Sequence, residues 1–318
     1  MAMCIIIVTK CMIRRKEKKQ GVTIYYLSKL ISDDKLEGIK GKNIKPSMIR
    51  LIIDNDAEVY GEDDQLLLVF RKGKIPNDKL ETFYENLKQH VKTGSSNRFT
   101  ATGNRGKRMH NSKKVMTTIL GFFDGWTPTQ KNILNRNNIS RMIPVRETLF
   151  NREYPERYKK VVPLIQKIDA LYKQYLPLYY KSQHKTAMQT PFRIADTSFT
   201  TVTINGNFQT SIHKDSGDYP EGFGNLAVIE NGEYTGAETC FPQYGIGVNV
   251  RQGDILFMDV HQYHGNLPIH ISEQKEEIAR MSIVCYLRLN IWKHSKGKTK
   301  KYAKMHINKY NNTKRAHI

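Results

Sequence analysis

The chain has 318 residues, 39% of them hydrophobic and 10% aromatic, which is enough apolar content for a packed core and excludes general disorder. Its formal net charge of +21 points to an anionic partner, nucleic acid or a membrane surface. No stretch approaches the ~20 apolar residues of a membrane-spanning helix.

The first 20 residues hold Lys10, Arg14, Arg15, Lys16, Lys18 and Lys19 against Glu17. Within them, the run MCIIIV at 3–8 is followed rather than preceded by its positive charges, so it reads as a strand and not as a signal peptide. Strands are also read at 49–53 and 65–70 (QLLLVF). Residues 78–92 read as a helix, with Leu80, Phe83, Leu87 and Val91 at helical spacing. A Gly-, Ser- and Asn-rich loop over 93–114 carries Arg98, Arg105, Lys107, Arg108, Lys113 and Lys114 with no acid. A strand follows at 115–123.

Residues 155–182 give the clearest helical stripe, from Val161 to Tyr175, with Pro163 and Pro177 expected to kink or divide it. From 197 the texture changes to short strands between Gly-containing turns. TSFTTVTI and FQTSIHKD flank a predicted hairpin turn at Asn205-Gly206-Asn207. Further strands at 224–232, 245–254, 255–261 and 279–289 complete the pattern of a sandwich or jelly roll. Residues 293–318 carry eight lysines and Arg315 with no acid and no apolar periodicity, and read as a mobile basic tail with at most a short helix. The four cysteines form no CxxC pair, which suits a reducing intracellular compartment, nuclear or cytoplasmic, and not secretion.

His213 and Asp215 close a predicted strand, where residues i and i+2 share a face and can offer an imidazole and a carboxylate to one ion. His264 follows the strand ILFMDV across the turn HQYHGN. Two imidazoles and one carboxylate with open positions favour non-haem Fe(II). Zinc hydrolases use the same ligand types, and His261 is an alternative to His264. Arg280 opens the strand RMSIVCYL, with Ser282 on its side. A strand arginine can clamp a carboxylate bidentately, as the distal carboxylate of 2-oxoglutarate requires. Asn205 is a candidate for the other carboxylate of that cosubstrate, or a plain turn residue. Asp218 is a candidate contact to a substrate base, or an Asx turn.

The segments HKDSGDYPEGFGNLAVIENGEY, FPQYGIGVNVRQGDILFMDVHQYHGN and ARMSIVCYLR resemble the thymine hydroxylase domain of the base-J-binding proteins, within the TET and base-J branch of 2-oxoglutarate oxygenases. The likeness is strong over 191–290 and weaker upstream through NREYPERYKKVVPLIQKIDALYK. SNRFTATGNRGKR, with Asn97 and Arg98, is similar to an upstream Asn-Arg motif of such proteins. The resemblance implies iron on His213, Asp215 and His264, 2-oxoglutarate on Arg280, O2 as oxidant, and oxidation of a pyrimidine 5-methyl group in DNA. The chain is too short for the J-DNA-binding insertion and shows no helicase-like module.

The expected fold is α+β, a double-stranded β-helix (jelly-roll) oxygenase core with N-terminal and flanking helices. Its expected parts are an N-terminal α/β extension with a basic loop at 1–114, the core with supporting helices at 115–292, and the basic tail at 293–318. The expected activity is hydroxylation of thymine in DNA to 5-hydroxymethyluracil by a monomer. A 5-methylcytosine oxidase and a protein or RNA hydroxylase are the rivals, and the complete triad with Arg280 counts against a catalytically silent nucleic-acid-binding module. Asn97, Arg98, Arg105 and Arg108 are expected near the substrate base, which would be flipped from the duplex, and the tail is expected to anchor phosphates. The Lys-, Asn- and Ile-rich composition fits an A+T-rich genome, such as that of a large virus or a protist.

Overall fold

The computed structural model describes residues 12–93, 115–125, 142–272 and 278–315, with side chains as far as 311. The chain forms two compact units. One takes in residues up to 118 with 204–216 and 223–284; the other takes in 119–203, 217–222 and 285 onward. Helices and sheets both contribute, so the class is α+β.

The first unit is built on two sheets. In the larger, Ile13–Lys19 pairs antiparallel with Val22–Leu27, which runs parallel to Ala57–Tyr60. Leu66–Arg71 and Ile255–Met258 follow, each antiparallel to its neighbour, and then Gly224–Glu230 and Arg280–Tyr286. In the smaller sheet, Thr239–Phe241 lies between Gly265–Asn266 and Ile246–Val248, and Ile246–Val248 runs parallel to Leu51–Ile53. A separate pair joins Tyr234–Gly236 to Ile269–Ile271.

The period of two along each strand sends alternate residues to one interior. Val59, Leu68, Phe70, Leu226, Val228, Leu256 and Met258 from the larger sheet meet Ile53, Phe241, Ile246 and Val248 from the smaller in one buried cluster. Val284 packs against that cluster, so Ser282 and Arg280, two and four residues earlier on its strand, face the same interior. The Asn77–Lys92 helix buries Leu80, Phe83, Leu87 and Val91, the stripe read from the sequence. The basic residues of Ile13–Lys19 stand exposed along a sheet edge, where charge discourages pairing with another chain.

The second unit carries the long helices. Pro155–Tyr175 and Pro177–Ala187 are divided at Pro177, as the sequence predicts, but Pro163 lies inside the first helix. Its missing hydrogen bond is outweighed by burial of Val161, Leu164, Ile165, Ile168, Leu171 and Tyr172. Residues 293–315, the described part of the expected mobile tail, differ from that expectation. They continue Leu289–Ser295 into a helix, Lys300–Arg315, that buries Ala303, His306 and Tyr310. His306 accounts for the hidden periodicity: a polar residue in composition, it donates from Nε2 to the Val145 carbonyl at 2.6 Å and packs edge-on against Phe192. Among the described residues no helix is long and apolar enough to cross a membrane.

Leu51–Ile53 forms the edge of the smaller sheet on Ile246–Val248 and Leu66–Arg71 pairs with Ile255–Met258 in the larger, so each of these later strands loses a partner without them. A fragment starting at residue 115 is therefore expected to lack the cooperative unfolding transition of the full chain. Circular dichroism during thermal melting checks this, and a folded fragment with a full-length-like melt would contradict it.

Candidate metal and cosubstrate site

Two backbone hydrogen bonds build the site. The His213 amide donates to the His264 carbonyl at 3.0 Å and the His264 amide returns the bond at 2.9 Å, an isolated antiparallel bridge. A reciprocally bonded pair puts both side chains on one face. Two residues on, the Asp215 amide donates to the Val260 carbonyl at 2.9 Å, a single bond in a register shifted by two residues from the bridge. The segment 208–215 is therefore not the regular strand read from the sequence. Asn207 has a left-handed backbone (φ 48) that turns the chain after Thr201–Gly206, and 208–215 is held by these bonds and by others to Lys42, Gly41 and Asn266 in place of a continuous ladder.

His213, Asp215 and His264 each offer a ligand atom, all within 4.8 Å of one another. His213 Nε2 lies 3.7 Å from Asp215 Oδ1, and His264 Nε2 lies 3.6 Å from Asp215 Oδ2. Each imidazole donates from Nδ1 to the carbonyl two residues before it, Ser211 at 2.7 Å and Gln262 at 3.0 Å. That fixes the tautomer and turns the Nε2 lone pair toward the carboxylate, the arrangement a metal ligand needs. The donor set of two neutral nitrogens and one carboxylate fits Fe(II). His264 is buried, while His213 and Asp215 are partly open. Burial disfavours the charged imidazolium of His264, but the Asp215 carboxylate 3.6 Å away prevails and raises its pKa above the ordinary value.

The surroundings hold these segments close. A Cβ on Gly265 would meet the Ser211 carbonyl oxygen at 2.9 Å, so no larger residue fits beside the bridge. The neighbouring side chains point the other way: Lys214 lies 4.2 Å over the Tyr263 ring, and the Tyr263 hydroxyl donates to Glu37. Ile212 exchanges backbone bonds with Gly41 and Lys42 and packs with Leu36, Ile44, Cys240 and Tyr263. Asp259, which the sequence reading missed, organises the turn before His264. It accepts from the His261 amide at 3.0 Å and the Gln262 side chain at 3.1 Å. An Asp just ahead of a tight turn is the signal that could have found it. His261 is outside the His-Asp-His cluster.

Arg280 and Ser282 are buried on one face of their strand. The Arg280 amide donates to Asn207 Oδ1 at 3.0 Å, and the Asn207 amide donates to the Arg280 carbonyl at 2.8 Å. Burial lowers the Arg280 pKa, against a hydrogen bond to the Tyr234 hydroxyl. Burial likewise pushes the Tyr234 phenol up to about 12, so it stays neutral. A buried guanidinium with a phenol and a second arginine, Arg251, as neighbours suits a carboxylate such as that of 2-oxoglutarate. Asn205 is buried, its Oδ1 accepting from Thr117 Oγ1 at 2.8 Å. Asp218 belongs to the second unit, bridged by its backbone to Arg288, and is not part of this cluster. Asn97, Arg98, Arg105 and Arg108 lie outside the described residues.

Sheets that bring a buried arginine and a His-Asp-His cluster into one unit mark a metal-dependent oxygenase. The oxygenase domain of the 2OGFeDO superfamily, Tet_JBP, matches residues 129–289, and the chain belongs to that family. This superfamily takes its name from iron and 2-oxoglutarate. Thymine dioxygenase JBP1 of Trypanosoma brucei brucei is 36% identical over 143 residues, 45% of this chain and 17% of that protein. JBP1 of Crithidia fasciculata is 28% identical over 239 residues, 74% of this chain and 27% of that protein. The bifunctional helicase and thymine dioxygenase JBP2 of Leishmania major is 33% identical over 176 residues, 55% and 15% of the respective chains. This chain thus spans less than a third of the length of these relatives. The solved structure of NgTET1 in complex with 5mC DNA matches with a TM-score of 0.53 at 14% identity, over 80% of this chain and 85% of that one. That likeness concerns the fold.

The raised His264 pKa has two linked consequences. In the metal-free protein the imidazolium–Asp215 interaction adds stability that is fully present below the unfolded-state histidine pKa and is lost as pH rises through the higher folded value. Metal requires the neutral imidazole, so its affinity rises over the same range. Calorimetric titration of the metal-free protein with Mn(II) at pH 6.0 and 8.0 is expected to give weaker binding at the lower pH, with proton release. Equal affinity at both would contradict the assignment of His264 as a ligand.

Proposed function

We propose that this chain is an Fe(II)- and 2-oxoglutarate-dependent dioxygenase that hydroxylates the 5-methyl group of thymine in DNA to give 5-hydroxymethyluracil. The observation that carries the reading is the convergence of His213, Asp215 and His264 within 4.8 Å, in the unit that also buries Arg280. Relatives 28–36% identical are named thymine dioxygenases, which favours thymine over 5-methylcytosine. We further infer that the two sheets packed on one apolar interior are a double-stranded β-helix.

Each residue has a part in this reading. His213, Asp215 and His264 hold the iron, which when bound with cosubstrate and O2 supplies the oxidising power to attack an unactivated methyl group. Arg280, with Ser282 beside it, binds the distal carboxylate of 2-oxoglutarate. Asn205 presents its amide N–H2 to the other carboxylate while Thr117 occupies its oxygen. The apolar interior of Phe241, Leu226, Val228 and Met258 excludes water. The segment with Asn97, Arg98, Arg105 and Arg108 contacts the DNA, and Asp218 is a separate candidate contact to it. A thymine methyl projects into the major groove, so flipping, at a cost of a few kcal/mol, brings it to a recessed ion.

Purified protein with Fe(II), 2-oxoglutarate and thymine-containing duplex is expected to yield 5-hydroxymethyluridine on nucleoside mass spectrometry. His213→Ala, Asp215→Ala and His264→Ala are each expected to abolish product, His261→Ala to keep it, and Arg280→Ala to raise the cosubstrate KM by ~30-fold or more, as loss of a buried charge-assisted contact costs ~2–5 kcal/mol. Oxidised cytosine in place of oxidised thymine, or an inactive His261→Ala beside an active His264→Ala, would overturn the reading.

A further inference from the structure

Beside Arg280 lies a polar cluster whose charges do not cancel. Glu230 ends the strand Gly224–Glu230, and its Oε1 is engaged twice. Arg251 Nε approaches it at 2.5 Å and the Tyr234 hydroxyl donates to it at 2.9 Å. The Arg251 guanidinium also lies over the Tyr234 ring, 4.2 Å from its centroid, and the Arg251 amide is fixed by Asp254 Oδ2 at 3.0 Å. Tyr234 is 4% exposed and packs against Ala279, whose chain neighbour Arg280 is 3% exposed and feels both the phenol and the Glu230 charge. The Tyr234 hydroxyl, donating to Glu230, thus stands in the same buried group as the Arg280 guanidinium.

The order of these contacts matters. Glu230 is committed to the Arg251 guanidinium and Asp254 to the Arg251 amide, so neither carboxylate is ion-paired with Arg280. Were Glu230 to pair with Arg280 directly, the clamp would be neutralised from within, and an incoming carboxylate would have to displace it. A neutral phenol beside Arg280, itself donating to Glu230, leaves the guanidinium charge unspent. The Tyr234 ring has an ordinary packing role as well, against Ala237 and Ala279, so its hydroxyl is the group to be explained.

We infer that Tyr234, Glu230 and Arg251 are positioning residues for the cosubstrate clamp: Arg251 holds Glu230 away from Arg280, and the Tyr234 hydroxyl fixes the Arg280 guanidinium so that one buried positive charge faces the 2-oxoglutarate carboxylate. This rests on Arg280 being the cosubstrate arginine. Within that frame it assigns a role to three residues that need make no contact with the cosubstrate. It also predicts a rescue. Removing Arg251 alone releases Glu230 to neutralise Arg280, whereas removing Arg251 and Glu230 together restores the charge.

The test is equilibrium binding of 2-oxoglutarate to the Mn(II)-loaded full chain by calorimetry, with melting temperature and Mn(II) affinity recorded for every variant. Tyr234→Phe keeps the ring and is expected to bind 2-oxoglutarate about tenfold more weakly, ~1.4 kcal/mol, with Mn(II) affinity and melting temperature unchanged. Arg251→Gln is expected to lose a similar factor or more. The double variant Glu230→Gln/Arg251→Gln is expected to recover most of that loss. Wild-type-like binding by Tyr234→Phe and Arg251→Gln, or a double variant weaker than Arg251→Gln, would overturn the inference while leaving the clamp in place. If the wild type holds Mn(II) but binds no 2-oxoglutarate, the clamp assignment itself fails and the inference with it. Should Tyr234→Phe not fold, the Arg251 single and double variants decide.

Discussion

The reciprocal backbone bond between His213 and His264 is the constraint on which the site depends. It joins two segments that are far apart in sequence, and neither belongs to a long regular strand at that point. Because the pair is antiparallel and hydrogen-bonded, the imidazoles must lie on one face, and a separate bond from the Asp215 amide to Val260 holds the carboxylate beside them. The rest of the local structure serves to keep the two segments this close. Gly265 removes a side chain that would hold them apart, Asp259 shapes the turn into His264, and the apolar group around Ile212 and Tyr263 backs the opposite face.

Electrostatics within the unit follows one pattern: a charge needed for binding is held but not cancelled. Asp215 lies between two imidazoles at 3.6–3.7 Å, close enough to orient them and too far for strong hydrogen bonds. Arg280 is buried near the Tyr234 phenol while Glu230 is occupied by Tyr234 and Arg251. The surface charge is deployed differently. Its described N-terminal part guards a sheet edge, with Arg15 stacked 3.7 Å over the Tyr26 ring and Arg14 paired with Asp64. That portion of the basic excess has a structural use without any nucleic acid, whereas Lys300, Lys301, Lys304 and Lys309 lie on the helix Lys300–Arg315 as solvent-exposed charges.

Local patterns in the sequence were readable where local physics decides. The stripe from Leu80 to Val91 gave its helix, Pro177 divided the long helical region, and the spacing of His213, Asp215 and His264 marked the candidate ligands. Arg280 and Ser282 could be placed on one face because a strand alternates. Long-range pairing was not readable. Nothing in the periodicity of Leu51–Ile53 says that it runs parallel to Ile246–Val248, and nothing in FQTSIHKD says that a left-handed Asn207 cancels the hairpin. Polar groups that act through other polar groups were equally hidden. Glu230, Tyr234 and Arg251 look like ordinary strand and turn residues until the fold brings them beside Arg280.

The central claim is that His213, Asp215 and His264 hold one divalent metal ion in the fold described. Anomalous diffraction from crystals of the Mn(II)-loaded protein, collected above the manganese edge, tests it most directly. The account predicts one strong peak within bonding distance of His213 Nε2, His264 Nε2 and an Asp215 carboxylate oxygen. A peak ligated by His261 in place of His264, or no peak at this cluster in protein that binds Mn(II) stoichiometrically, would contradict it.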